Sequence, residues 1–416
     1  PQNQFPIRVW PKLDAQRKKL AGIQLIPESN PVIWLRISSS NFQLVPRWLN
    51  FLVPSDHEFT NHHLHIMSKD ILPNLTRNLI SGKDLSADEA RTAALALADS
   101  ASDPDDKSKF LVALKHKGES PEEVSSFAAT FRELAVDPGV DTYRESAIDV
   151  CGTGGDKSGS FNLSTATAMI LAASGVPVFK HGNRSITSGC GSADLLERLG
   201  VPLLGAEGNH EKALEKLNFT FFFAPSFHPA FKEIMPVRQA LGERGIRTIF
   251  NILGPLINPG RPSIQLLGVF SRDYVEPLAA ALHNLGLRRG LVVHTSLNGD
   301  TGMDELACCG TCHVAGFGEF VGIREKWMPD ALGLDVCSLD DVQGGDLERN
   351  MEILDEVLGL KAKKGLIDSI CLNAGAALWC AGKADCVEDG IKQALDLLSS
   401  GAVANWLAEC QAFYSQ

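Results

Sequence analysis

The stretch DVCGTGGDKSGSFNLST, Asp149 to Thr165, sets four glycines and a run of hydroxyls between two apolar segments. It is not a dinucleotide turn, because the sixth position of G-x-G-x-x-G falls on Lys157. It is not a P-loop either, because the order is Gly-Asp-Lys rather than Gly-Lys-Ser/Thr. Its composition still suits an anion. Gly152, Gly154 and Gly155 allow positive φ and a close backbone approach. Asn162, Ser164 and Thr165 bring amides and hydroxyls to the start of a helix. A tight strand-to-helix turn with a capped helix would use the same residues.

A second polar cluster, KHGNRSITSGCGSAD, runs from Lys180 to Asp194. It offers Lys180, His181, Asn183 and Arg184, then Ser185, Thr187, Ser188 and Ser192. A third, HTSLNGDTGMDELA, carries Asp304 and Glu305. Adjacent loop carboxylates are ordinarily solvated. Beside phosphate donors they suit Mg²⁺, which takes one or two carboxylates plus substrate phosphates. A helix terminus offers only about 0.3–1 kcal/mol toward one negative charge, and a diphosphate carries several, so metal charge is expected. The fourth stretch, PSFHPAFKEIMPVR, holds His228 and Arg238. His228 reads equally as a satisfied core histidine; Arg238 suits a planar carboxylate clamp.

These clusters need a scaffold that gathers them. Ser86-Ala-Asp-Glu89 and Ser120-Pro-Glu-Glu123 are capping boxes, each opening a helix. A further helix is expected over Asp106–Lys117, stopping at Gly118. From residue 145 the pattern alternates. SAIDV, VPVFK, VPLL, FTFFFA and RGLVVHT read as strands between helices STATAMILAASG, DLLERLG, EKALEKL and DYVEPLAAALHNLG. Three more helices are expected near the C-terminus. The expected fold is α/β, with a small helical domain over 67–140, joined by part of 230–250, and a large α/β domain over 145–416 built on a mostly parallel sheet. Parallel strands place the loop after Asp149–Cys151 beside the loop after Lys180, at the strand C-termini where α/β ligands bind.

The whole chain, 416 residues with a net charge of −11, limits the partners. No broad excess of Lys and Arg exists to displace counterions from nucleic acid. Ten scattered cysteines read as reduced thiols rather than a disulfide framework. Cys309-Gly-Thr-Cys312-His313 matches a haem-attachment string, but a turn between strands is the plainer reading. No apolar run approaches the ~18 residues that span a bilayer. A cytoplasmic location is expected, or an organellar one if residues 1–66 are a transit segment. That stretch has no clear period and is set aside from the fold as a leader or extension.

Taken in order, GTGGD, N-x-ST, KHGNR…GSAD, FHPA…PVR, RTIFNILGPLINP and the loop Asp-Glu resemble the anthranilate phosphoribosyltransferases, from about Met67 to Gln416. The resemblance implies a homodimer of the nucleoside-phosphorylase-like type. It implies transfer of phosphoribose from 5-phosphoribosyl 1-diphosphate to anthranilate with Mg²⁺, in tryptophan biosynthesis. By motif it assigns Gly152, Thr153, Gly154, Gly155, Asp156, Ser160, Asn162, Leu163, Ser164, Thr165, Lys180, His181, Gly182, Asn183, Arg184, Ser185, Ser188 and Ser192 to the phosphoribosyl diphosphate. It assigns Gly152, Asn183, His228 and Arg238 to anthranilate, and Ser164, Asp304 and Glu305 to metal. No general base is assigned. Asp156 is expected to partner ribose hydroxyls, loop amides or metal-bound water.

The chain departs from the family pattern at LGERGIRT (241–248), which holds three extra residues around Glu243–Gly245 close to the acceptor segment. The loop before Asp304 is longer than the common form, and SITSGC replaces a more serine-rich run. Three alternatives share the architecture: a transferase for another aromatic amine, a pyrimidine nucleoside phosphorylase, and a non-catalytic nucleic-acid-binding relative.

Overall fold

The computed structural model describes residues 4–7, 24–26, 33–36, 70–184, 189–204, 209–297 and 301–415. The chain divides into two units, residues 1–65 and 66–416. In the first, β1 (Gln4–Ile7), β2 (Gln24–Ile26) and β3 (Ile33–Arg36) pair antiparallel in the order β1-β3-β2.

The second unit opens with helices α1 (Ile71–Ile80), α2 (Ala87–Ala98), α3 (Pro104–Lys117) and α4 (Pro121–Glu133). Both capping boxes form: Ser86 and Ser120 each accept from the amide three residues on, and the glutamate there closes back on the cap amide. Helix α3 starts before Asp106, because Asp103 caps it and Pro104 takes the first position, where a missing N–H costs nothing.

A central sheet follows. Its elements are β4 (Ile148–Gly152), α5 (Leu163–Ala173), β5 (Val178–Gly182), α6 (Ser192–Arg198), α7 (His210–Leu217), β6 (Phe219–Phe223), α8 (Met235–Glu243), β7 (Ile264–Gly268), α9 (Val275–Asn284), β8 (Arg289–Ser296), β9 (Gly302–Met303), β10 (Thr311–Gly318) and β11 (Arg324–Trp327). The order across the sheet is β11-β10-β8-β7-β4-β5-β6, with β9 on β8. The run from β8 to β6 is parallel, whereas β9, β10 and β11 are antiparallel. Helices α10 (Leu347–Leu358), α11 (Lys364–Cys380), α12 (Val387–Ser399) and α13 (Ala402–Tyr414) complete the chain.

Strand residues alternate between two cores, as a period of two requires. Val150, Leu266, Leu291, Val293 and Val314 join the core beneath α5 and α11. Cys151, Leu267, Val292, Ala315 and Phe317 join the core that includes the N-terminal helices and α9. Ile234, Val237, Leu241 and Phe250 also enter this second core, so the 230–250 segment packs with the N-terminal helices.

Two strand expectations need correcting. VPLL (201–204) is not a strand: Val201 and Leu203 are buried, but among the described residues the segment has no ladder partner, and Leu204 stands out in solvent. It is a connection that drops two apolar side chains into the core. The strand β7, in the middle of the sheet, was not anticipated, because the turns before it carry no helical period. Cys309 does lie in a turn, and Cys312 and His313 lie in β10.

Candidate active site

The parallel strands β4, β5 and β7 end at Gly152, Gly182 and Gly268. The loops that follow gather at this edge. Gly154 and Gly155 hold φ of 70° and 77°, which L side chains rarely adopt. The Gly154 amide donates to Asp304 Oδ2 at 2.5 Å, and the Ser164 amide, in the first turn of α5, donates to Glu305 Oε1 at 3.2 Å. So the acidic pair is docked onto both the glycine loop and the helix start. Asp156 folds inward: it accepts from the Ser158 amide and hydroxyl at 3.1 and 2.8 Å and from the Asp304 amide at 3.2 Å. Loop amides are thus among the partners of Asp156. Thr153 Oγ1 accepts from the Phe270 amide, and Ser160 bridges to Gln343.

The second wall follows β5. Lys180 is 1% exposed, and its ammonium donates to the Val150 carbonyl at 2.5 Å and the Ser164 hydroxyl at 3.1 Å. It is therefore a sealed cation beneath Ser164 rather than a surface donor. Arg184 is exposed, but its guanidinium pairs with Asp194 and Glu197 at 2.8–2.9 Å, so those carboxylates already neutralise it. Asn183 accepts from the Arg184 amide, and a Cβ on Gly182 would meet Ser192 Oγ at 2.2 Å. Asn162 does not cap α5 with its side chain; it donates to the Cys190 carbonyl and accepts from Asn350. Leu163 and Thr165 are buried, which points both side chains into the core. Ser185 and Ser188 lie outside the described residues.

His181 and His228, both buried, meet through their Nε2 atoms at 3.2 Å. Burial pushes the His228 imidazole down to about 4 and that of His181 well below its usual range, the facing His228 adding to the latter. Both rings are neutral at physiological pH, so one donates and the other accepts. Arg238 lies over the rings of Phe231 and Phe250, 5.7 and 5.3 Å from their centroids, and donates to the Phe250 carbonyl at 3.4 Å. The three extra residues are absorbed at the end of α8. Ile246 donates to the Leu241 carbonyl and Gly245, at φ 71°, to that of Gly242. This is a Schellman cap, with Glu243, Arg244 and Gly245 exposed.

The donor set fits a divalent cation. Asp304 and Glu305 are crowded with Asp156. Burial and that neighbouring charge push the Asp304 carboxyl well above its usual range. Burial pushes Glu305 up to about 7 against the pull of Lys180. This is an excess of buried negative charge that a cation would offset. Among the described residues no three His, Cys, Asp or Glu side chains are grouped to hold a metal alone. Magnesium sites usually complete their shell with water and substrate oxygens.

A pH dependence follows. In the folded state Glu305 keeps its proton up to about pH 7, whereas the unfolded chain releases it near 4.5. The stability it contributes is present below pH 4.5 and lost as pH rises toward 7. In metal-free buffer Glu305→Gln should gain on the native chain between pH 5 and 8, by up to about 2–3 kcal/mol. Urea denaturation at several pH values measures this, and a difference that does not vary with pH would contradict it.

Three contacts were not foreseen as part of the site. Arg247 donates to the Gly155 carbonyl at 2.6 Å and stacks 4.0 Å over Phe270. Gln343 donates to the Ser158 carbonyl at 2.9 Å. Asn258 donates to Asp149 and to the Phe179 carbonyl beneath Lys180. Arg247 and Asn258 stand inside RTIFNILGPLINP, so the motif marked them; nothing in the local sequence marks Gln343.

A helical bundle joined to a sheet with phosphate-type loops at its strand ends is the arrangement of the glycosyl transferase family. Residues 144–404 match the family's a/b domain and residues 73–135 its helical bundle domain. The chain is 43% identical over 326 residues to the anthranilate phosphoribosyltransferase of Persephonella marina, covering 78% of this chain and 93% of that one. The crystal structure of the Thermus thermophilus enzyme of the same name superposes with a TM-score of 0.74 at 39% identity, over 82% of this chain and 99% of that one. The Saccharomyces cerevisiae enzyme, in complex with PRPP and Mg, gives 0.68 at 25% identity over 83% and 98%. The chain belongs to the anthranilate phosphoribosyltransferase family.

Proposed function

We propose that this chain transfers the phosphoribosyl group of 5-phosphoribosyl 1-diphosphate to the amine of anthranilate, releasing diphosphate, as a step of tryptophan biosynthesis and as a homodimer. The observation that carries this reading is the docking of Asp304 on the Gly154 amide and of Glu305 on the Ser164 amide. Backbone donors at a glycine loop and a helix start suit phosphate oxygens. A carboxylate pair at the same place is reconciled with phosphate by a divalent cation between them. Asp304, Glu305 and Ser164 would hold it. When bound, magnesium supplies positive charge to the departing diphosphate oxygens.

The chain's own groups do the rest. The amides of the Gly152–Asp156 loop and the start of α5 present fixed dipoles to the phosphate oxygens, an electrostatic contribution needing no reorganisation. Lys180 holds the Ser164 hydroxyl from beneath. The neutral His181–His228 pair places no positive charge beside the acceptor. An aromatic amine is nucleophilic when neutral, so the bond to C1 of the ribose forms as the C1–oxygen bond to diphosphate breaks, and the nitrogen then releases one proton to water, with no general base among the residues assigned. Positioning supplies the remaining advantage.

Arg238 is the residue for the acceptor's carboxylate. Phe231 and Phe250 fix its guanidinium plane. Arg238→Ala should raise the KM for anthranilate about 10–100-fold, the equivalent of one charge-assisted bond of roughly 1.5–3 kcal/mol. The KM for 5-phosphoribosyl 1-diphosphate should stay within about twofold. Steady-state kinetics with each substrate varied in turn gives both numbers; an unchanged anthranilate KM would remove Arg238 from that role.

A further inference from the structure

Seven of the ten cysteines are buried, and three, Cys309, Cys337 and Cys386, are partly exposed. Two of the three belong together. The Cys337 amide donates to the Cys308 carbonyl at 3.0 Å. This bond joins the backbone of the Cys308–Cys309 turn directly to that of Cys337, the kind of approach a disulfide requires. The two thiols are near enough for each to influence the other's ionisation. Cys309 Sγ also lies 3.6 Å from Met303 Sδ. On its far side Cys337 packs against Gly365 at the start of α11, where an added Cβ would meet its sulfur at 2.8 Å. Neither thiol has a place in the transfer reaction, and Cys309 begins the C-x-x-C-H string that the site leaves unused.

We propose that Cys309 and Cys337 form a thiol–disulfide exchange site, closed to one intramolecular disulfide by a small-molecule disulfide such as glutathione disulfide. The neighbouring Cys309 thiol pulls the Cys337 thiol below its usual range while Cys309 itself is pushed up. That difference orders the steps. The Cys337 thiolate attacks one sulfur of glutathione disulfide, forming a mixed disulfide and expelling one glutathione thiolate. Cys309 then gives up its proton and attacks the Cys337 sulfur, expelling the second glutathione. Two protein thiols become one disulfide, and one glutathione disulfide becomes two glutathione thiols. Cys308 and Cys312 are fully buried and stay out of the exchange.

The bond would join two segments that frame the candidate active site. Cys309 stands four residues past Glu305, and Cys337 stands six residues before Gln343, which holds the Ser158 carbonyl. The site therefore ties oxidation to the loops around the glycine turn.

The test uses the full chain equilibrated in buffers of varied glutathione to glutathione disulfide ratio, then alkylated, digested with trypsin and fragmented in a mass spectrometer. The expected product links residues 290–324 to residues 327–349, two hydrogens lighter than their sum, with the bond at Cys309 and Cys337. Its yield should rise with the disulfide fraction and reverse with dithiothreitol. Cys309→Ser should leave Cys337 as a stable glutathione adduct. Alkylation of both thiols at every ratio, or a bond to Cys308 or Cys312 instead, would overturn the proposal. The readout is the covalent bond, so it is independent of whether the chain transfers phosphoribose.

Discussion

Lys180→Met should cost about 3 kcal/mol of stability and abolish measurable turnover. The ammonium is enclosed, with the Val150 carbonyl and the Ser164 hydroxyl as its acceptors. It is also the opposing charge for two buried carboxylates. Burial pushes Asp149 up to about 6 and Glu305 up to about 7, and in both Lys180 is the first influence pulling the other way. Methionine matches the stem and removes the charge. Asp149 and Glu305 must then take up protons or stay buried without a cation, and Ser164 loses the donor that orients it. Denaturant unfolding should show the loss most strongly above pH 7, where the unpaired carboxylates would ionise. A variant as stable and as active as the native chain would mean that Lys180 is a passive filler.

Gly268→Ala should be the most damaging small substitution in the sheet. A Cβ there would lie 1.6 Å from the Asp304 carbonyl oxygen and 2.4 Å from its carbon. Backbone, not the end of a flexible side chain, is in the way, so the Asp304 segment must move. Overpacking of this kind costs about 1–3 kcal/mol. A displacement of about 1 Å at a positioned group costs on the order of 100-fold in rate. The expected result is a lower Tm and a kcat/KM reduced about 100-fold. Gly242→Ala is the control: it sits in α8 with nothing within 4 Å of the added Cβ and an ordinary φ, so rate and midpoint should hold or the midpoint rise slightly. Equal losses in the two variants would show that the Asp304 approach is not what matters.

The parts of the site that lie close in sequence were the legible ones. The glycine loop, the helix start at Ser164 and the Lys180–Asp194 cluster each declare themselves within one short stretch of chain, and strand alternation is enough to put them on one edge. Burial was not legible. Lys180 has the appearance of a phosphate donor in KHGNR and proves to be an enclosed cation, because only the packed structure shows Val150 and Ser164 closing over it. Arg184 reads as a donor in KHGNR, and only the fold of α6 shows Asp194 and Glu197 turned onto it. Contacts such as Arg247 with Gly155, 92 residues apart, and Gln343 with Ser158, 185 apart, have no local pattern to betray them. VPLL misled for the opposite reason. Its apolar residues are buried, as a strand's would be, yet no neighbour offers it a ladder.

The central claim is that Gly152–Asp156, Ser164 and Asp304–Glu305 form one site for phosphoribosyl transfer to anthranilate. Anthranilate fluorescence reports it directly. The full chain mixed with 5-phosphoribosyl 1-diphosphate, Mg²⁺ and anthranilate should quench that fluorescence with turnover, and leaving out any one component should stop the loss. Folded protein that leaves the fluorescence constant with all three present would contradict the account, and diphosphate released to another aromatic amine in the same mixture would show that the acceptor assignment is the part that fails.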